Sequence, residues 1–384
     1  MYFTLNRCRY VISSYMPLTI LEDANIVVDG GKIVCIGECH GYNNYDRIDC
    51  REKVAAPAFG NAHIHTASIL KYVGDLDLRR AITMAMINMA SNGIAAFQSM
   101  DEEYIEIINA AKNIGLRVRA GPVIKSEKCE SFNIEGVSYN LYSPIISIEN
   151  LLEIDEEALK SCMENLLNKE LDIQIPVSRT VEEVLKFKRR KGLLPVEYLA
   201  RNNLLSGRVV LSHVNWISSW ELESIVHYRP RVAICPYSDV LSGINGIPPI
   251  KTLLEKNVIV GIGTETFIHR GSSNMLKDIS SIVALYRYSN TDIEVEQVMQ
   301  LATQGSYSVM NINAGTIEVG READIAILSV KRMKYSVHTK RVLPLIIHES
   351  YVDSTIVNGS IVWSVDEMDR YTRLLDSSRY PASI

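Results

Sequence analysis

The stretch from Val54 to His65, VAAPAFGNAHIH, decides the fold of this chain. Small apolar residues lead to Asn61, and His63 and His65 follow at alternate positions. In an extended strand, residues i and i+2 point to the same side, so both imidazoles are expected to face one point beyond the strand end. A buried strand that ends in such a pair predicts a barrel whose mouth offers two nitrogen ligands to a divalent metal ion.

Composition and charge place the chain among ordinary globular proteins. Its 384 residues are 47% apolar and 22% charged, and the net charge of -5 gives no reason to expect nucleic acid or an anionic membrane as a partner. The basic run Lys188–Lys191 lies in a predicted helix and is interpreted as a solvated face. No apolar run reaches about 18 residues, and the first residues lack the layout of a signal peptide. We expect a cytoplasmic protein with a small-molecule substrate; a homo-oligomer is compatible with the sequence.

The cysteines are scattered and odd in number. They lie at positions 8, 35, 39, 50, 129, 162 and 235, without a CxxC pair. This pattern predicts reduced thiols and argues against a disulfide framework.

Strand and helix patterns alternate about eight times between Val54 and Met310, and the predicted helices include Leu78–Ser91, Val181–Lys191 and Ile293–Met310. This count and length favour a (β/α)8 TIM-type barrel over an open doubly wound sheet. No G-x-G-x-x-G motif follows a strand, so a dinucleotide site has no support. Both chain ends have strand patterns instead, with hairpin turns predicted at Asp29–Gly31 and at Asn358-Gly359. We therefore predict a barrel at 54–312 and a small composite β-sandwich made of 1–53 and 313–384.

Active sites of such barrels lie where the strands end. The predicted strand ends offer His63 and His65 on the first strand, Pro176 and Arg179 on the fifth, His213 on the sixth and Glu265 on the eighth. Three imidazoles and a carboxylate, with a position left for water, suit a zinc-type ion.

The order of several motifs resembles the amidohydrolase superfamily, in the branch of cytosine and guanine deaminases and triazine chlorohydrolases. The matching stretches cover nearly the whole chain in collinear order and include APAFGNAHIH, GLRVRAGPVI, VAICPYSDVLSGINGIPPIKTLLEKNVIVGIGTE and GTIEVGREADIAIL. The resemblance implies a metal-binding barrel flanked by a β-sandwich built from both chain ends.

The resemblance also implies roles for individual residues. His63 and His65 match metal ligands, and His213 matches the histidine that orients the attacking water or the substrate. Glu265 stands where similar proteins have an aspartate that serves as ligand and general base; being one methylene longer, its oxygens are expected about 1 Å out of place, an error that can cost about 10²-fold in rate.

The fifth strand departs from the family pattern. Similar proteins have a ligand histidine and a proton-shuttling glutamate where this chain has Pro176 and Arg179. Proline has no side-chain donor atom, and arginine stays protonated. The expected metal is therefore one divalent ion, zinc first and iron or manganese next, held by His63, His65 and Glu265. His213 or His269 is a further candidate contact.

Two functional hypotheses follow. The first is a metal-dependent hydrolase acting on a carbon–nitrogen bond, other than a peptide bond, of a small cyclic or amide substrate, with deamination as one form. In this hypothesis a metal-activated water attacks the substrate, Glu265 and His213 are catalytic, and Arg179 and His213 contact the substrate. In a variant of the hypothesis, Arg179 stabilises an oxyanion. The alternative is a catalytically impaired homologue without metal, in which Arg179 holds a small anion or the barrel binds a partner.

Overall fold

A computed structural model provides the structure of the chain and describes residues 2–42, 44–73, 76–125, 137–330 and 342–375. The described chain begins with two long strands, continues with short strands that alternate with helices, and ends with two strands and a helix. The strands are β1 (Tyr2–Tyr15), β2 (Leu18–Asp29), β3 (Lys32–Gly37), β4 (Asp46–Asp49), β5 (Lys53–Pro57), β6 (Phe59–His65), β7 (Ile94–Ser99), β8 (Arg117–Ala120), β9 (Val123–Ile124), β10 (Tyr142–Pro144), β11 (Ile146–Ile148), β12 (Ile173–Val177), β13 (Val209–His213), β14 (Arg231–Ile234), β15 (Val260–Ile262), β16 (Glu265–Thr266), β17 (Ile325–Ser329), β18 (Tyr351–Val357) and β19 (Ser360–Ser364).

Helices follow most of the short strands. They are α1 (Leu70–Val73), α2 (Leu78–Ser91), α3 (Tyr104–Ile114), α4 (Glu156–Asn168), α5 (Val181–Lys191), α6 (Pro195–Arg201), α7 (Ser219–Tyr228), α8 (Pro236–Leu241), α9 (Ile250–Glu255), α10 (Met275–Tyr288), α11 (Val295–Gln300), α12 (Ser306–Val309), α13 (Val342–Glu349) and α14 (Met368–Leu375). Local caps explain several bounds; for example, Thr180 Oγ1 accepts from Glu183 N at the start of α5, and Gly192, at φ 73°, ends it.

Both chain ends meet in one eight-stranded sheet, here called the terminal sheet, with the order β19-β18-β17-β5-β1-β2-β3 and β4 beside β1. Both predicted hairpins are present, since Asp29 pairs with Lys32 and Val357 pairs with Ser360. One face of this sheet carries its own apolar cluster, which includes Leu5 and Ile26. The boundaries predicted for the barrel and the sandwich stay a prediction. Strand β5 spans the predicted boundary between residues 53 and 54, and it lies in the terminal sheet.

The middle of the chain forms two parallel sheets, here called the α/β region. Their orders are β10-β8-β7-β6-β16 and β15-β14-β13-β12-β11-β9. The central strands are buried along almost their whole length, as in parallel sheets covered by helices. The predicted fifth, sixth and eighth strands correspond to β12, β13 and β15.

Two helical segments differ from the expected pattern. Helix α13 interrupts the strands expected near the C-terminus because its residues Val342, Leu343 and Ile346 bury one helical face in the main core. The helix expected over Ile293–Met310 is broken by a π-helical turn at Leu301–Gly305. A side chain at Gly305 would lie 2.3 Å from the Val260 carbonyl oxygen, so the backbones of the turn and β15 approach closely.

The prediction of reduced thiols is wrong for Cys35 and Cys39, which form a disulfide, and for Cys162, which is also disulfide-bonded. Among the described residues, Cys8, Cys50 and Cys235 are free thiols. The chain turns back at Gly37, which has φ 95°, and brings the Cα atoms of Cys35 and Cys39 to 6.0 Å. Within the described ranges, no helix is both long and apolar enough to span a bilayer.

Candidate metal centre

Three strand ends of the α/β region deliver polar side chains to one point. His63 lies near the end of β6, His213 ends β13, and Glu265 follows β15 after Gly263-Thr264. Each side chain is almost completely buried, with at most 4% of any of these residues exposed. Parallel strands gather their carboxyl ends at one edge, which explains why residues so far apart in sequence meet.

The eighth strand approaches the first closely enough to bring Glu265 to His63. A side chain at Gly263 would lie 2.6 Å from the His63 carbonyl oxygen, so this passage requires glycine. Asn61 and Thr264 join the same two strands by reciprocal hydrogen bonds, from Asn61 Nδ2 to Thr264 Oγ1 at 2.7 Å and from Thr264 N to Asn61 Oδ1 at 3.0 Å. The buried polar residues before each ligand therefore hold the ligand strands in register.

One carboxylate oxygen is the centre of the cluster. Glu265 Oε2 lies 3.0 Å from His63 Nε2 and 3.4 Å from His213 Nε2. One donor atom from each of the three residues lies within 4.8 Å of the others. Although His63 Nε2 and Glu265 Oε2 are close, neither makes a hydrogen bond of acceptable geometry, and both are buried. These two unsatisfied atoms, with His213 Nε2 beside them, fit a zinc-type ion, which would bind all three.

A second layer of polar groups orients the histidines. Asp239 Oδ2 accepts from His213 Nδ1 at 3.1 Å and from Asn215 Nδ2 at 2.9 Å. Because Asp239 accepts the Nδ1 hydrogen, Nε2 of His213 faces the cluster, and in the neutral ring it carries the lone pair that a metal ion would need. His63 Nδ1 similarly contacts Ser212 Oγ at 3.2 Å. Carboxylate–histidine pairs of this kind are typical of metal sites.

Arg179 contacts the cluster rather than open solvent. Its Nη1 lies 2.9 Å from Glu265 Oε1, and its Nε lies 2.8 Å from Asp239 Oδ1. The guanidinium therefore binds the carboxylate oxygen of Glu265 that faces away from the histidines. Its charge is compensated by two carboxylates of the protein, which leaves it poorly suited to capture a free anion.

The strand ends that carry these groups have unusual backbone. Ser178, His213 and Glu265 have φ values of 55°, 74° and 61°, in the left-handed region that residues other than glycine rarely occupy. At β12, Glu183 of helix α5 stabilises the turn, because its carboxylate accepts from Ser178 N at 3.1 Å and from Arg179 N at 3.0 Å. Such local strain is typical of functional sites.

The electrostatics favour the metal-binding forms of His63 and Glu265, whereas they oppose the neutral form of His213. Burial lowers the pKa of His63 below its usual value, although Glu265 opposes this shift. Burial alone would raise the pKa of Glu265, but His213 and His63 hold it well below its usual range. For His213, burial disfavours the imidazolium, yet Glu265 and Asp239 outweigh it and raise the pKa, with Arg179 acting against them. A neutral His63 and an ionised Glu265 are ready to bind a cation.

The remaining predicted residues lie around this cluster. His65 is only partly buried, and its ring centroid is 5.4 Å from that of His63, so it lies beside the three-residue group. Pro176 lines the pocket above the cluster, and His269 is exposed at the rim of a neighbouring cavity. The roles predicted for His65 as a ligand and for His269 as a further contact stay predictions.

Two adjoining cavities open onto the site and share His65, Arg179 and Glu265. The first, of about 220 Å³, also reaches His213 and has an apolar wall that includes Leu151 and Phe187. The second, of about 580 Å³, extends past Ser68 and Asp101. The cluster thus lies at the bottom of a pocket large enough for a small molecule.

Sequence reasoning missed Asp239, Glu183 and Asp101. Asp239 follows Cys235-Pro236 at the end of the seventh strand, and attention to that strand end would have found it. Asp101 stabilises the turn after His65, because its carboxylate accepts a hydrogen bond from Thr66 N at 2.6 Å. No spacing pattern in the sequence predicts this contact.

The amidohydrolase family model matches residues 54–362. The chain belongs to the amidohydrolase family. Family membership confirms the predicted resemblance, and with it the predicted class of hydrolases that act on carbon–nitrogen bonds other than peptide bonds. The fold of this amidohydrolase is accordingly an α/β fold of the TIM-barrel type.

Individual relatives match this amidohydrolase over nearly its full length. A 5'-deoxyadenosine deaminase from Methanothrix thermoacetophila is 23% identical over 393 residues, which cover 94% of this chain and 95% of that protein. The atrazine chlorohydrolase TrzN from Arthrobacter aurescens TC1, complexed with zinc, superposes with a TM-score of 0.85 at 17% identity and covers 97% of this chain and 99% of that chain. An adenosine deaminase from Xanthomonas campestris with bound zinc has a TM-score of 0.82 at 16% identity, with coverages of 97% and 98%.

Proposed function

We propose that this amidohydrolase removes an amino group by hydrolysis from a small nitrogen-containing ring. The observation that carries the proposal is the buried cluster of His63, His213 and Glu265, whose facing donor atoms fit a divalent metal ion. A zinc-type ion held there, with iron or manganese as substitutes, would lower the pKa of a water molecule and supply a nucleophile near neutral pH. No comparison favours the alternative of an impaired binding module.

The protein groups supply the proton transfers and the orientation. The ionised Glu265 accepts a proton as water adds to the ring carbon, and the proton then passes to the nitrogen that leaves as ammonia. His213, held by Asp239, faces the same point and positions the reacting group. Arg179 lines both cavities and stays our candidate for a contact with the substrate.

The size of the cavities supports a small substrate. In the first cavity, of about 220 Å³, an apolar wall at Leu151 and Phe187 lies beside the polar cluster. A planar heterocycle requires both kinds of contact. Relatives named for 5'-deoxyadenosine and adenosine suggest an aminopurine ring as the substrate. The ring would lie in the first cavity and its substituent in the second.

We further infer that the two parallel sheets are halves of one closed (β/α)8 barrel. The chain first passes from one sheet to the other between β8 and β9, which two residues separate. It returns to the first sheet for β10, continues in the second sheet from β11 to β15, and passes back between β15 and β16. Strand β16 pairs with β6, which places the last strand next to the first. We also infer that the terminal sheet folds into the sandwich expected beside such a barrel.

Metal content and turnover test the proposed function together. Protein purified without chelator should contain about one equivalent of zinc, iron or manganese and release ammonia from 5'-deoxyadenosine or adenosine. His63→Ala should lose both the metal and the turnover, because it removes a buried ligand. His227→Ala, which changes an exposed histidine on α7, is the matched control and should keep both. Absence of metal, with no gain on adding it, would exclude the proposal.

A further inference from the structure

We propose that Arg179 is a positioning residue that limits how tightly the metal centre binds its ion. The inference rests on the proposed function, since it concerns the same site. The guanidinium already neutralises the Glu265 carboxylate of the cluster and the carboxylate of Asp239 beside it. A metal ion and Arg179 would therefore compete for the negative charge of Glu265.

The two oxygens of the Glu265 carboxylate have different neighbours, Arg179 on one side and the proposed metal position on the other. Oε1 lies 2.9 Å from Arg179 Nη1, and Oε2 faces the imidazoles at 3.0 and 3.4 Å. While Arg179 holds Oε1, Glu265 can offer a metal one oxygen only, and that oxygen is made less basic by the neighbouring positive charge. Asp239 is divided in the same way, with Oδ1 on Arg179 and Oδ2 on His213.

Charge repulsion acts in the same direction. The positive charge of Arg179 and an ion bound at Oε2 would lie on opposite sides of the Glu265 carboxylate, within a few ångströms of each other. They would repel each other strongly, because screening is weak in a buried site. The opposing effect is that Arg179 orients Glu265, and groups that orient ligands usually improve metal affinity by about 10–100-fold. Glu265 is already held by burial and by its backbone, so we expect the charge effect to exceed the orienting effect.

The substitution Arg179→Gln separates these effects. It removes the charge while keeping a side chain that can donate a hydrogen bond, and we expect the dissociation constant for Zn²⁺ to fall by about tenfold or more. Arg179→Lys keeps the charge and should stay within about threefold of the wild type. Titration with Zn²⁺ alone against a chromophoric chelator measures all three proteins.

Thermal unfolding gives a second readout that does not depend on turnover. Loss of Arg179 leaves two buried carboxylates without their cation, so metal-free Arg179→Gln should melt lower than the wild type. Saturating Zn²⁺ should raise its melting temperature by more than it raises that of the wild type, because tighter binding to the folded state stabilises more.

The outcomes distinguish this inference from the proposed function. Tighter zinc binding by Arg179→Gln, with Arg179→Lys close to the wild type, supports the inference, even if the wild type itself binds no zinc and the proposed function fails. Weaker or unchanged binding by Arg179→Gln, while the wild type binds zinc, overturns the inference and leaves the proposed function standing. If none of the three proteins binds zinc, the inference is wrong, and the proposed function is wrong as well if the wild type also lacks iron and manganese.

Discussion

At the scale of single residues, Glu265 shows what side-chain length alone leaves out. The extra methylene is expected to displace its oxygens by about 1 Å, and this stays a prediction. The structure adds a left-handed backbone at Glu265, φ 61°, and a contact with Arg179, and with these Oε2 lies between two imidazoles. Neither the backbone conformation nor the partner arginine can be inferred from the residue type, whereas His63 and His213 could be predicted from their places at strand ends.

Glu265→Asp tests this interpretation. The shorter side chain withdraws the oxygen from His63 and His213 and loses Arg179, so we expect weaker zinc binding and a fall in turnover of about 10²-fold. Metal titration and initial rates measure the two effects, with Glu265→Gln as the control that keeps the length and removes the charge. If the aspartate variant equals or exceeds the wild type, the glutamate is not adapted to this site.

At the scale of elements, helix α5 supports the fifth strand end. The sequence predicted the helix over Val181–Lys191, and the structure has the same bounds. What the pattern could not reveal is that its first turn holds the left-handed turn at Ser178 through Glu183, because hydrogen bonds to backbone amides leave no trace in hydrophobic periodicity.

Glu183→Ala should destabilise the protein by about 2 kcal/mol, because two hydrogen bonds to a charged acceptor are lost. Arg179 should also be less well placed, which zinc titration would register. Glu182→Ala, on the exposed side of the same helical turn, is the matched control and should change stability little. Urea denaturation of both variants provides the comparison; equal effects would show that Glu183 acts only through the charge of the helix start.

At the scale of the whole molecule, a buried ion pair joins the terminal sheet to the α/β region. Arg117 on β8 contacts Asp324, which immediately precedes β17, through Nε at 2.7 Å and Nη2 at 3.1 Å. Tyr307 OH and Asn358 N also donate to this carboxylate, at 3.0 and 2.8 Å. The sequence predicted that the chain ends come together, but not which polar groups would join them to the rest.

Arg117→Ala should lower the free energy of unfolding by about 3–5 kcal/mol, since it leaves the Asp324 carboxylate buried without its cation. Arg7→Ala breaks an ion pair of similar length with Asp23 that is open to solvent, and it should have almost no effect. Chemical denaturation, followed by both far-ultraviolet circular dichroism and tryptophan fluorescence, measures the difference. A small loss in the first variant would mean that water replaces the arginine.

The fold was predictable where local patterns repeat and less so where distant contacts decide. The alternation of strands and helices, the two hairpins and the helix Leu78–Ser91 follow from periodicity and turn residues. The Cys35–Cys39 disulfide depends on the turn at Gly37, and helix α13 depends on packing against the core. Neither contact has a signature in composition or cysteine spacing.

Strand β5 has a consequence for how the molecule matures. It pairs with β1 on one side and, on the other, with β17 from the opposite end of the sequence, and only Ala58 separates it from the strand that carries His63 and His65. During synthesis, strand β6 leaves the ribosome long before β17, the strand that pairs with β5 next to it. Contacts between residues so far apart in sequence form slowly, so a nascent chain would hold an unfinished centre until β17 has been made.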